Sequence, residues 1–231
     1  FGNAVWVSCV QSNLASIGNV KDGTTFVFGP SGGKRIVGEF AVIASKDKRI
    51  KTLSRTKEGH WSIELRVAGS APRQYIIDTE ANVAVLNKDH DELMSTLECS
   101  REEMLGFDDT KTFGVMNVIK RLEAVLTTDD GETMTLEIGK AAHSTTAIQN
   151  LIPLSALLSG PADRIFLNKD GGMLVSASKV KIELTPATTV TEIKLEGGSY
   201  KMMVSFDATS ISKFYELPKN ARDNVAKFWR D

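Results

Sequence analysis

The stretch Phe113 to Leu126 reads FGVMNVIKRLEAVL. Its apolar residues Val115, Val118, Ile119, Leu122, Val125 and Leu126 recur at three- and four-residue steps, the spacing of one helix stripe. Asn117, Lys120, Arg121 and Glu123 fall off that stripe. The spacing predicts an amphipathic helix over 113–126, the clearest in the chain. With strands on both sides of it, the predicted fold class is α+β: mostly antiparallel sheet with a few short helices.

Working outward, Asp129-Asp130-Gly131 reads as a turn and Thr133 to Ile138 as a strand. On the N-terminal side, Ala4 to Gln11, Thr24 to Phe28, Arg35 to Ala44, His60 to Val67, Gln74 to Ile77 and Asn82 to Leu86 are rich in β-branched and aromatic residues and read as strands. Gly38 marks a bulge inside the third of these. Asp89 to Cys99 is a candidate short helix. On the C-terminal side, Thr146 to Ile152 reads as a strand. Leu154 to Leu158 reads as a short helix after Pro153, a residue suited to a first helical turn. Arg164 to Asn168 and Met173 to Ala177 flank Asp170-Gly171-Gly172, a hairpin whose glycines are expected to supply a positive φ. Lys179 to Leu184 alternates as a strand. Val190 to Leu195 and Lys201 to Phe206 flank Gly197-Gly198 as a second hairpin. Asp207 is a candidate N-cap for a helix over Ala208 to Leu217, ended by Pro218, and Asn224 to Trp229 reads as a closing strand. The order helix then strand occurs at 113–138 and again at 206–229, which predicts a repeated strand–helix–strand unit. Two domains are expected: a strand-rich N-terminal one over residues 1–143, ending in the 113–126 helix, and a second over 144–231.

The chain has 231 residues, of which 42% are hydrophobic and 25% charged, as expected of a globular protein. Lys plus Arg number 28 and Asp plus Glu 29, so a uniformly basic coat for nucleic acid is excluded, although a segregated basic face is not. The two cysteines, Cys9 and Cys99, are too few for a disulfide scaffold and read as reduced, half-buried thiols. No apolar run is long enough to span a membrane and no signal-peptide pattern opens the chain. A cytoplasmic location, or the interior of a host cell, is therefore expected.

No motif predicts catalysis, a metal or a cofactor. Gly29-Pro30-Ser31-Gly32-Gly33-Lys34-Arg35 lacks the spacing and the Ser or Thr of a phosphate loop and reads as a hairpin or surface loop. His60, His90 and His143 stand at no metal-ligand spacing and read as ordinary surface or boundary residues. Asp108-Asp109 and Asp129-Asp130 read as turn residues, because adjacent side chains point apart. The expectation is a protein that is not an enzyme.

The run Met202-Met203-Val204-Ser205-Phe206 followed by Asp207 to Leu217, with Phe206, Ile211, Phe214 and Leu217 as spaced apolar positions, resembles the strand-to-helix step of DNA sliding clamps. The hairpin over Asp163 to Ala177 and the short helix before it are similar to the clamp's helix–hairpin unit. The resemblance covers residues 146 to 229 and extends to 113–138. It implies two clamp-like domains in a homo-oligomer, with three copies closing a ring. Helices would face duplex DNA and bind its backbone without sequence preference. A DNA polymerase or transcription factor is the implied partner, and some viral relatives of clamps act without a closed ring. Lys120, Arg121, Lys213, Lys219 and Arg222 are the residues expected to face DNA. The alternative is a viral structural or assembly protein rich in antiparallel sheet, such as a capsid or tail component.

Overall fold

The computed structural model describes residues 22–79, 81–105, 112–161, 163–196 and 199–203. The strands are β1 (Thr24–Gly29), β2 (Gly32–Val37), β3 (Phe40–Ala44), β4 (Arg49–Arg55), β5 (Trp61–Val67), β6 (Arg73–Asp78), β7 (Ala84–Leu86) and β8 (Cys99–Leu105). They continue as β9 (Thr112–Thr127), β10 (Thr133–His143), β11 (Asn150–Pro153), β12 (Arg164–Asn168), β13 (Gly172–Ser176), β14 (Val180–Leu184), β15 (Thr189–Glu196) and β16 (Ser199–Met202). Helical structure among the described residues is confined to one turn of α-helix, α1 (Asp91–Met94), and the 3-10 turns Lys88–His90 and Leu154–Leu157.

The predicted α+β class is therefore corrected: the protein is mostly β. The decisive segment is β9. Residues 113–126 form no helix but lie inside a 16-residue strand paired with β8 on one side and β10 on the other. A β-bulge produced the helical spacing. On β9, Ile119 pairs with Ala141 and Leu122 with Gly139, so Lys120 and Arg121 together oppose the single residue Lys140. Both side chains of the bulged pair are exposed, while Ile119 and Leu122 on either side are buried. Two exposed residues between two buried ones reproduce the i, i+3 step of a helix. Beyond the bulge the strand alternates: Leu122, Ala124 and Leu126 are buried and Arg121, Glu123 and Thr127 exposed. The expected strand–helix–strand unit at 113–138 is thus a β9–β10 hairpin. Its supposed echo over 208–217 and 224–229 lies outside the described residues, as does the strand over 4–11.

Fourteen strands join in the order β16-β15-β2-β1-β12-β13-β4-β5-β6-β11-β7-β10-β9-β8. A further pairing of β5 with β9, Arg66 opposite Val125, closes β5-β6-β11-β7-β10-β9 into a six-stranded barrel. Closure removes the edges these strands would otherwise expose. The barrel draws strands from both sides of residue 143: β11 lies between β6 and β7. The main core joins barrel residues Trp61, Ile63, Leu65, Leu86, Leu122, Leu126 and Ile152 to Phe26, Phe28, Leu167 and Leu174 of the adjoining sheet. A smaller core of Val27, Ile36, Phe166 and Val175 is covered by the separate β3–β14 pair through Phe40, Val42 and Ile182.

Several local readings match and others shift. Arg35 to Ala44 is not one bulged strand: Gly38, at φ 116°, breaks it into β2 and β3. The Gly29 to Gly33 segment is a hairpin, with Gly29 opposite Gly32. The hairpin at Asp170-Gly171-Gly172 forms for a different reason from the expected one. Neither glycine has a positive φ. The Asn168 side-chain oxygen accepts the backbone N–H groups of Asp170 and Gly171 at 3.0 and 2.9 Å. Gly172 is small because a Cβ there would lie 2.8 Å from a Leu167 methyl.

Candidate functional site

Two parallel pairings fix where chemistry can sit. β6 and β11 run parallel and finish side by side, with Asp78 opposite Pro153. The chain leaves β6 for β7, but β11 lies between them, so residues 79–83 must cross the end of β11. The arrangement is repeated at β10, which runs parallel to β7 and ends with His143 opposite Leu86. Residues 144–149 then cross the end of β7 to reach β11. β11 is antiparallel to β7, so β6 and β10 point in opposite directions and the two crossings lie on opposite rims of the barrel.

Asp78 occupies the first rim. Tyr75, Ile76 and Ile77 before it are all buried. Such a continuous apolar run is what a strand covered on both faces and paired in parallel requires. The run ends where β6 ends, and Asp78 and Thr79 are half-exposed. The Asp78 carboxylate curls over the start of the crossing: Oδ1 accepts the Ala81 N–H at 3.2 Å. Below it, Pro153 and Leu154 are buried and lead into the 3-10 turn Leu154–Leu157. The result is a half-exposed carboxylate, with the Ala81 N–H among its partners, beside the buried end of β11, an arrangement suited to proton transfer.

The second rim carries a histidine cluster. The Tyr75 hydroxyl and His90 Nε2 lie 3.0 Å apart in the interior. Burial first, and the Arg73 charge second, pull the His90 pKa down to about 4, so this ring is neutral at pH 7. Burial also pushes the Tyr75 phenol well above its ordinary range. His143 Nε2 lies 2.8 Å from Asp91 Oδ1, an ion-pair distance that is off the line of a hydrogen bond. Asn150 ties the rim together: its side chain accepts the Asn87 N–H at 2.9 Å and donates to the Gln74 carbonyl at 3.4 Å. His90 and His143 are thus buried members of a network, not the surface or boundary residues expected; His60 is exposed, as expected. Cys99 is exposed, not half-buried, and Cys9 lies outside the described residues.

The residues expected to face DNA do not share a helix. Lys120 and Arg121 are the bulged pair of β9, and Arg121 already meets Glu137 at 3.5 Å and Glu123 at 3.7 Å. Lys213, Lys219 and Arg222 lie outside the described residues. Of the acidic pairs, Asp129 accepts the Thr52 N–H and hydroxyl, at 2.9 and 2.7 Å for Oδ2, which is a structural role. Asp108-Asp109 lies outside the described residues. Asp78 was missed because acidic residues were sought as neighbours in sequence. The available signal was different: a buried apolar run terminating abruptly in a lone carboxylate. Among the described residues no group of three or more His, Cys, Asp or Glu is placed to hold a metal, and no helix is long and apolar enough to cross a membrane.

No family model matches the chain, and no curated protein matches it. Solved structures do. A retropepsin-like aspartic protease from Rickettsia conorii is 18% identical, with a TM-score of 0.40, over 62% of this chain and 98% of that one. The Basic 7S globulin from soybean is 12% identical, with a TM-score of 0.40, over 67% of this chain and 50% of that one. Neither is a sliding clamp. The expectation of a protein that is not an enzyme stands against the first of these neighbours, which is described as a protease. At this level of likeness no activity is transferred, and what the chain can do rests on its own residues.

Proposed function

We propose that this chain is one half of a two-carboxylate hydrolase with aspartic-protease-type chemistry, in which Asp78 supplies the catalytic carboxylate and Asp78 of a second copy supplies the other. The observation that carries the reading is the position of Asp78: a half-exposed carboxylate at the joint end of two parallel strands, held by the Ala81 N–H. Acid–base hydrolysis needs one group to take a proton while another gives one. Two carboxylates brought together do this at mildly acidic to neutral pH, because their mutual repulsion keeps one of them protonated. The described rim offers one such group per chain, and Glu80, the next acidic residue, lies outside the described residues. A two-fold axis through the rim brings Asp78 against its own copy, as a symmetric dimer requires.

In that arrangement the ionised carboxylate takes a proton from water as the water oxygen bonds to the substrate carbonyl carbon. The protonated carboxylate gives its proton to the carbonyl oxygen. Collapse of the tetrahedral intermediate breaks the C–N bond: the carboxylate that took the water proton gives it to the departing nitrogen, and the other takes a proton from a hydroxyl of the intermediate, which restores the starting pair. The peptide bond is the substrate class proposed.

The test is hydrolysis of a reduced, alkylated protein between about pH 4 and 7, read by mass spectrometry of the fragments. Cleavage should fall by at least about a hundredfold in Asp78→Asn, with the thermal transition retained. Cleavage that survives Asp78→Asn, or no cleavage by the wild type at any concentration, would overturn the proposal. Retention on circular duplex DNA and self-assembly in its absence, measured on the same preparation, test the two readings expected from the sequence, DNA tracking and structural assembly.

A further inference from the structure

We propose that the barrel rim opposite Asp78 carries a binding site for a small oxyanion, a phosphate or a carboxylate. Arg101 on β8 is in register with Asn117 on β9, and Asn117 is in register with His143 on β10. Residues in register across adjacent strands project on the same side of a sheet. Strands lie about 4.8 Å apart, so the three side chains form a donor row about 10 Å long. Directly after His143 the crossing segment adds Ser144, Thr145 and Thr146, which with the row line a solvent-open cavity of about 280 Å³. That is several times the roughly 30 Å³ that one water occupies.

The donors are unbalanced. The lining residues carry a guanidinium, an amide, an imidazole, a thioether and three hydroxyls, and no carboxylate. Asp91 lies against His143 Nε2 and is not part of the lining. Arg101 makes no ion pair among the described residues, whereas Arg121, on the neighbouring stretch of β9, has two glutamate partners. Ser144 and Thr146 hold each other's hydroxyls at 3.1 Å, which fixes two of the hydroxyls on the same side of the cavity. A guanidinium flanked by an amide and hydroxyls is the donor set that oxyanions select, through charge-assisted hydrogen bonds. The site shares no residue with the Asp78 rim and does not depend on hydrolysis there.

The test is amide chemical-shift titration of the full chain with inorganic phosphate and, separately, with acetate, at ionic strength held constant with chloride. Saturable shifts confined to residues 101, 117 and 143–146 are expected. Arg101→Gln should weaken binding at least about tenfold, and Asn117→Asp should abolish it. Both residues are exposed, so both variants retain the fold, and Thr145→Ala, expected to weaken binding, provides a third. Response to phosphate alone identifies a phosphate site, and response to both anions a general oxyanion site. Equal shifts in chloride, or unchanged affinity in Arg101→Gln, would overturn the proposal.

Discussion

Replacing Gly139 by alanine tests the bulge that turns an apparent helix into a strand. Gly139 pairs with Leu122 at the point where the β9–β10 register shifts twice, and its φ is +76°. A Cβ built on it meets nothing within 4 Å. The substitution therefore adds no steric clash, and its cost is that of the left-handed backbone alone, about 1–2 kcal/mol for an L residue. Gly171 is the matched control. It too is open to a Cβ, but its φ is not in the positive region. Alanine there should be neutral or stabilise by about 0.4–1 kcal/mol, by restricting the unfolded chain. The two variants should then differ by about 1–3 kcal/mol, with Gly139→Asn in between because asparagine tolerates the left-handed region. Urea unfolding measures this as a lower midpoint with unchanged slope. For a chain this size each kcal/mol shifts Tm by about 2–4 °C. If Gly139→Ala proves as stable as Gly171→Ala, the residue is not held at positive φ. The bulge account of Lys120 and Arg121 then fails with it.

Three further outcomes follow from the rims. Wild type mixed with an equal amount of Asp78→Asn and allowed to exchange should retain about one quarter of the all-wild-type activity, since only wild-type pairs hold two native carboxylates; a value near one half would mean that each chain acts alone. His90 should make stability depend on pH. Its folded pKa, about 4, lies below the ordinary 6.5, so between those values the unfolded chain binds more protons and stability falls as pH drops from about 6.5 toward 4. Arg73, Asp89 and His143 are the charged or titratable groups that act on it. Thermal melts of wild type and His90→Gln across that range should show a steeper loss in the wild type, and parallel curves would refute the assignment. Tyr75→Phe should destabilise by about 1–3 kcal/mol in denaturant titrations, because it removes the buried hydroxyl and strands His90 Nε2.

Short alternating runs were readable because their pattern is local. β5 and β12 agree with expectation to within a residue, since HWSIELRV alternates and RIFLN ends at a hairpin. β9 was not readable, because its phase changes in mid-strand at a bulge created with β10. The bulge belongs to the pair of strands, so no window of β9 alone distinguishes it from a helix. The β-branched Val115, Val118, Ile119 and Val125 were the counter-signal, and strand propensity should have outweighed the stripe. The hairpin at residue 170 teaches the converse: its position was legible, yet the device that closes it, the Asn168 side chain, was not the one its glycines suggested.

The rims were hidden for a related reason. Asp78 gains its setting from Pro153, and His143 from Leu86 and Asp91, partners that come into reach only when the barrel closes. The two crossings share one topology but differ in chemistry. At the His143 rim Tyr75, Asn87, Asp91 and Asn150 hold the histidines and the backbone, and Arg101 and Asn117 stay exposed beside them. At the Asp78 rim the carboxylate is half-exposed, with the Ala81 N–H among its partners. In the proposed pairing the copies meet at the Asp78 rim, where a second carboxylate completes an acid–base pair. Because the rims are opposed, a dimer joined there turns the donor row of Arg101, Asn117 and His143 outward, into solvent. Oxyanion binding at that row should then neither require the dimer nor block hydrolysis. An anion that inhibited cleavage in the wild type, yet left Arg101→Gln uninhibited, would show instead that the barrel couples its two ends.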